Sequence, residues 1–169
     1  MNGGAHRVWR LPADVDTDQL APGHAMKHGL DVIARHCLER VRPDFAHGVK
    51  RGDVIVAGAN FGIGSSREQA ASVLVQLGVA AVIAPSYSGL YFRNAFNVGL
   101  LLLTCPDAER LADGETIAFD ARAGRVVRAG GEVLACEPIP GFLLEMVEAG
   151  GLLPQLKARF ANARRLENP

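Results

Sequence analysis

Ser65-Ser66-Arg67-Glu68 follows three glycines in seven positions, Gly58-Ala59-Asn60-Phe61-Gly62-Ile63-Gly64, and is the densest reactive group in the chain. Glycines let a backbone approach a ligand closely, and the free N–H groups at a helix start favour an anion. Ser65-x-x-Glu68 matches the S-x-x-E capping box, which predicts Ser65 as the N-cap of a helix with Glu68 reaching back to it. Arg67 offers a rigid fork of donors suited to a carboxylate. A serine in that positive field would have a lowered hydroxyl pKa and act as a base or nucleophile. The plainer alternative is that Ser65 only caps the helix and Arg67 only pairs with Glu68 or another acid; spacing leaves both open. No Lys follows the last glycine and neither G-x-G-x-x-G nor G-x-S-x-G occurs, so a nucleotide loop and a hydrolase elbow are unsupported.

A second group is the acidic loop Asp14-Val15-Asp16-Thr17-Asp18. It opens like a calcium loop but lacks the Gly at the sixth position and the Glu at the twelfth. It reads either as a solvated turn or as a device orienting a neighbouring Arg or Ser. His24 and His28 stand four apart with no nearby carboxylate and read as exposed side chains. Cys37, Cys105 and Cys136 are widely spaced with no C-x-x-C, so this chain alone builds neither a zinc nor an iron–sulfur site and its thiols are expected in the core.

The elements that must position these residues follow from periodicity and punctuation. Val8 to Leu11 and Val54 to Ala57 read as short strands, and Pro12 to Pro22 as a proline-bounded loop. His24 to Arg40 carries apolar residues at mostly three- and four-residue steps, consistent with an amphipathic helix. After Ser65, the stripe Ala70, Val73, Leu74 and Leu77 predicts a helix closed by Gly78. Val79 to Ala84 and Leu100 to Thr104 are continuous apolar strands flanking a helix over Ser86 to Asn97. This β-α-β-α-β run implies parallel pairing. Glu115 to Phe119, Arg125 to Arg128 and Glu132 to Cys136 form a meander, and helices over Pro140 to Ala149 and Leu152 to Phe160 end the chain, with Asn162 to Pro169 expected to fray. One α/β domain over residues 1–169 is the expected organisation, ordered over about residues 8–160.

Composition narrows the function. Lys+Arg 18 against Asp+Glu 18 cancels the positive field that a nucleic-acid binder needs. The apolar runs fall well short of the ~18 residues of a membrane span, and Met1 to Leu11 has no signal-peptide core. A cytoplasmic protein is expected, with neither nucleic acid nor membrane as partner.

Val15 to Gly23 (VDTDQLAPG), Gly52 to Ala70 (GDVIVAGANFGIGSSREQA) and Gly78 to Leu103 resemble the small subunit of 3-isopropylmalate dehydratase, itself similar to the swivelling domain of aconitase. The likeness runs from about Val8 to Leu153, and N-F-G-x-G-S-S-R-E is its most specific string. It implies a swivelling β/β/α three-layer α/β domain with a mixed sheet. It implies half of a hydro-lyase that dehydrates and rehydrates a malate-type hydroxy-acid, with isopropylmalate and leucine biosynthesis as the leading assignment. The 4Fe–4S cluster would be bound by a large partner subunit, and the isolated chain would be able to self-associate. By position Ser65 matches the family's catalytic serine, Arg67 the substrate-carboxylate arginine, Ser66 the adjacent hydrogen-bonding serine and Asp18 the loop aspartate of the site.

Three positions depart from the family. Ile63 stands where a small or polar residue is common, Gln69 replaces the His of S-S-R-E-H, and His24-Ala25-Met26-Lys27-His28 replaces the usual specificity segment. Lys27 offers a charge there for an extra substrate carboxylate, or is a solvated loop residue. Dimethylmalate, citramalate and homocitrate or homoaconitate are therefore alternative substrates, and a non-catalytic carboxylate-binding module of the same fold is the alternative from another class.

Overall fold

The computed structural model describes residues 4–167. Met1 to Gly3, at the start of the segment tested for a signal peptide, and Asn168 and Pro169, at the end of the expected frayed tail, lie outside the described residues. Among the described residues seven strands form one mixed sheet in the order β4-β3-β2-β1-β5-β6-β7. Its parallel half comprises β1 (His6–Arg10), β2 (Val54–Val56), β3 (Ala81–Ala84) and β4 (Leu102–Thr104). Val8 pairs with Val54, Val54 with Ala81 and Val82 with Leu102, all in parallel, as the β-α-β-α-β reading requires. All residues of β2 and β3 are buried, which accounts for their unbroken apolar sequence.

The meander β5 (Thr116–Asp120), β6 (Arg125–Arg128) and β7 (Val133–Ala135) joins antiparallel on the other side of β1, through His6 opposite Ile117. Just past β7, the Glu137 N–H donates to the Thr104 carbonyl at 2.8 Å. The sheet therefore curls until residues beside its two edge strands meet, leaving less free edge.

The helices are α1 (Thr17–Leu20), α2 (Leu30–His36), α3 (Phe45–Gly48), α4 (Gln69–Gln76), α5 (Gly89–Asn97), α6 (Gly141–Glu148) and α7 (Leu152–Glu167). Several boundaries differ from the sequence reading: the expected Pro12 to Pro22 loop contains α1, and α3 adds a short helix that the periodicity does not show. His24 to Arg40 is not one helix: a 3₁₀ helix over Gly23–His28 precedes α2, and Gly29 between them has φ +87°, which an α-helix does not accommodate. The last helix runs to Glu167, so residues 162–167 are helical.

Parallel pairing of β1 with β2 sets their C-terminal loops side by side, the usual place for a site in such a sheet. The loops extend the pairing beyond the strands. Asp14 N–H donates to Ala59 O at 2.9 Å, Gly62 N–H to Val15 O at 2.7 Å and Thr17 N–H to Ile63 O at 2.9 Å. Gly62 has φ +80°, and a Cβ there would lie 2.1 Å from Cγ of the buried Tyr91. Only glycine fits between this backbone and that ring.

Candidate active site

Ser65 sits where those two loops meet. Its backbone N–H donates to Thr17 Oγ1 at 3.0 Å, and its Oγ lies 3.1 Å from the same oxygen. Thr17 is 2% exposed, so its hydroxyl works out of bulk water, whereas Ser65 and Ser66 are exposed. A hydroxyl accepting one N–H still has its own O–H to give. Thr17 is thus able to donate to Ser65 Oγ, an arrangement that favours negative charge on that oxygen.

The expected capping box at Ser65 is not formed. α4 begins at Gln69 with Glu68 as N-cap, and no side chain caps it. The cause is the long-range contact: Thr17 takes the Ser65 N–H and pairs with its hydroxyl, and this holds the segment out of the helix. The helix-end field invoked for Ser65 accordingly starts three residues later than the sequence suggests, with Glu68 rather than Ser65 as N-cap. The true capping box is in the acidic loop, where Asp16 Oδ1 accepts from Gln19 N at 2.8 Å and Gln19 Oε1 accepts from Asp16 N at 3.0 Å.

Arg67 does not pair with Glu68. Its Nη1 donates to Asp18 Oδ1 at 3.1 Å and to the Ala21 carbonyl at 2.8 Å. Only Nη1 is engaged among the described residues, so the Nε–Nη2 edge, which has the bidentate geometry for a carboxylate, stays available. Asp18 also accepts from Gly23 N at 3.0 Å. That backbone bond, then Arg67 and the charge of Arg40, hold its carboxyl below the ordinary carboxylate range. The acidic loop is therefore no simple solvated turn. Asp16 caps, Asp18 orients Arg67, and Asp14 accepts from Asn60 Nδ2 at 2.9 Å.

Asp18 also borders a cavity of about 340 Å³ lined with Asp16, Gly23, His24, Glu39 and Arg40. Ser65 and Arg67 are not among its lining residues. Ser66 is exposed beside Ser65, and its carbonyl accepts from Asn94 Nδ2 at 3.0 Å, outside the group that Thr17, Ser65, Arg67 and Asp18 form. Lys27 is exposed on the 3₁₀ helix and makes no ion pair or hydrogen bond among the described residues, so the structure does not join it to Ser65, Arg67 and Asp18.

The thiols do not suit an iron–sulfur cluster, which needs several converging thiolates. Cys37 and Cys105 are fully buried, and burial pushes the Cys37 thiol up. Among the described residues the one group of three metal-type ligands contains no cysteine.

Comparison with known proteins decides the family. Residues 41–108 match the aconitase C-terminal domain. The chain is 41% identical over 154 residues to the 3-isopropylmalate dehydratase small subunit 1 of Archaeoglobus fulgidus, covering 90% of this chain and 96% of that one. The chain belongs to the 3-isopropylmalate dehydratase small-subunit family. A crystal structure of 3-isopropylmalate dehydratase from Methanocaldococcus jannaschii superposes with a TM-score of 0.89 at 36% identity, over 95% of this chain and 97% of that one. A methanogen homoaconitase small subunit from Methanothermobacter thermautotrophicus is 43% identical over 151 residues, covering 87% of this chain and 86% of that one. The aconitase-type fold and hydro-lyase class expected from the sequence are those of this small-subunit family. Thr17 and Arg40 are the residues of the site region that the sequence reading passed over. Thr17 lay within the D-T-D string, but no local signal ties it to a serine 48 positions on.

Proposed function

We propose that this chain is the small subunit of a cytoplasmic hydro-lyase acting on a malate-type hydroxy-acid, with isopropylmalate as its substrate. The observation that carries the reading is Ser65 Oγ beside the buried Thr17 hydroxyl, together with the open edge of Arg67 held by Asp18 and Ala21 O. Ser65 Oγ, as alkoxide, takes the proton from the carbon next to a substrate carboxylate, and the C–H electron pair moves toward that carboxylate. Arg67 binds the carboxylate through Nε and Nη2 and steadies the charge that builds there. Ser66 donates a further hydrogen bond. Thr17 positions Ser65 and donates to its alkoxide, which in open water would be too costly to use.

Departure of the hydroxyl is assigned to the partner large subunit, where family resemblance places a 4Fe–4S cluster as Lewis acid. What supports assembly is the small-subunit family together with Phe142, Leu153 and Phe160 exposed on α6 and α7. No helix among the described residues is long and apolar enough to cross a membrane. A homocitrate or homoaconitate substrate is the second reading, favoured by the homoaconitase relative and by Arg40 on the cavity beside Asp18, with Lys27 as a further cation on the neighbouring 3₁₀ helix.

The test is reconstitution with an anaerobically prepared large subunit, following ultraviolet absorbance of the unsaturated acid. Isopropylmalate, citramalate, dimethylmalate, homocitrate and citrate form the panel. Turnover of isopropylmalate is expected, with none by this chain alone. Turnover of homocitrate instead selects the second reading, and no turnover of any of them with an intact cluster contradicts the hydro-lyase assignment.

A further inference from the structure

Away from the serine, two imidazoles and a carboxylate converge at the junction of the 3₁₀ helix and α2. His24 Nε2 lies 2.8 Å from Glu39 Oε1, and His36 Nδ1 lies 2.7 Å from Glu39 Oε2. The two rings meet edge to face with centroids 4.8 Å apart, and the three donor atoms all fall within 4.8 Å of one another. The His24–His28 pair suggested by spacing is not the relevant one. The chain folds back so that His36 and Glu39 meet His24 across the turn.

The two contacts have hydrogen-bond lengths, and the same three donor atoms lie close enough to converge on one cation. A tetrahedral zinc with bonds of about 2.0–2.1 Å places its ligand atoms about 3.3 Å apart. The two contacts here expand by about half an ångström to reach that spacing, and the imidazoles draw together. Two imidazoles and one carboxylate are a recurrent zinc donor set that leaves a fourth position for water. Such a position has room here, because His24 and Glu39 both line the cavity of about 340 Å³. Asp16 and Asp18 on the same wall set negative charge against that of Arg40.

We propose that His24 Nε2, His36 Nδ1 and a Glu39 carboxylate oxygen form a binding site for a first-row divalent transition cation, with zinc the ion that fits. The cation pins the 3₁₀ helix over Gly23–His28 to the C-terminal end of α2, beside the loop that carries Asp18. None of the three ligands belongs to the Ser65–Arg67 group, so the proposal stands or falls independently of the reaction assigned above.

Metal-free full-length protein is titrated with zinc chloride by calorimetry in a non-coordinating buffer, and with cobalt chloride by visible absorbance. One zinc per chain is expected, with affinity on the order of micromolar, an intense tetrahedral cobalt spectrum, and a melting temperature raised by several degrees. His24→Ala and His36→Ala each weaken binding by about 100-fold or more and abolish the cobalt spectrum, and Glu39→Gln weakens binding by about tenfold. His47→Ala, on an exposed residue elsewhere, changes nothing. Binding no tighter than millimolar overturns the proposal and leaves the cluster as a hydrogen-bonded clasp. Stoichiometric binding that survives both histidine substitutions overturns it equally, since the cation then sits elsewhere.

Discussion

Thr17 does for Ser65 what no other described side chain does: it receives the serine's N–H and offers a hydroxyl to its Oγ from a site closed to water. Thr17→Val keeps the volume and removes both interactions. It is expected to lower kcat by about 10- to 100-fold with KM little changed, and to move the acidic limb of the kcat–pH profile, where the base loses its proton, to higher pH. Thr17→Ser is expected to restore most of the rate, and equal loss in both variants would make the role merely structural. Arg67→Lys is expected to lower kcat/KM by about 100-fold, because a point charge reproduces neither the Asp18 and Ala21 contacts nor the open two-donor edge. Steady-state kinetics of the reconstituted complex checks both. Ser65 and Arg67 stood out in the sequence as candidates because their types follow a glycine-rich approach, while their proposed roles come from the family resemblance. Thr17 did not, because a threonine in an acidic loop gains its role only from a partner 48 residues away.

At the scale of elements, the glycine-rich loop is shaped by what lies against it. Gly62→Ala would place a methyl 2.1 Å from Tyr91 Cγ at φ +80°. The loop or the ring must move, and a loss of about 3 kcal/mol or more is expected, read as a lower urea midpoint. A midpoint within error of wild type would show that the loop yields freely. The same loop shows why a local signature misleads. S-x-x-E is a sound capping pattern, yet Thr17 draws Ser65 away and α4 starts at Gln69, while Asp16 and Gln19 form the working box upstream. α2 and the 3₁₀ helix were read as one element because the apolar steps continue across Gly29, whose positive φ no periodicity reveals.

For the whole molecule, the parallel half was legible because buried strands and their connecting helices follow one another in sequence. The insertion of β1 between β2 and β5 was not, since it pairs residues far apart in the chain. That junction is fastened at Asp53, whose Oδ2 accepts from Arg7 Nη2 at 2.7 Å, Trp9 Nε1 at 2.8 Å and Lys50 N at 2.9 Å. Burial opposes the charge, but these donors outweigh it and hold the Asp53 carboxyl below the ordinary range. A depressed folded-state pKa contributes stability above the unfolded carboxylate value of about 3.9, lost as pH falls through the folded one. Asp53→Asn should therefore cost about 2 kcal/mol at pH 7 and flatten the fall in stability below about pH 4. Urea unfolding at pH 7 and pH 3 tests this, and parallel pH dependences would refute it. Ser65 acting as the base is the central step of the proposed reaction. The decisive measurement is kcat on isopropylmalate for Ser65→Ala, assembled with an intact large subunit beside the wild-type complex. A loss of about 1,000-fold or more, with assembly and substrate affinity kept, is the predicted result. Turnover within a few-fold of wild type would contradict it.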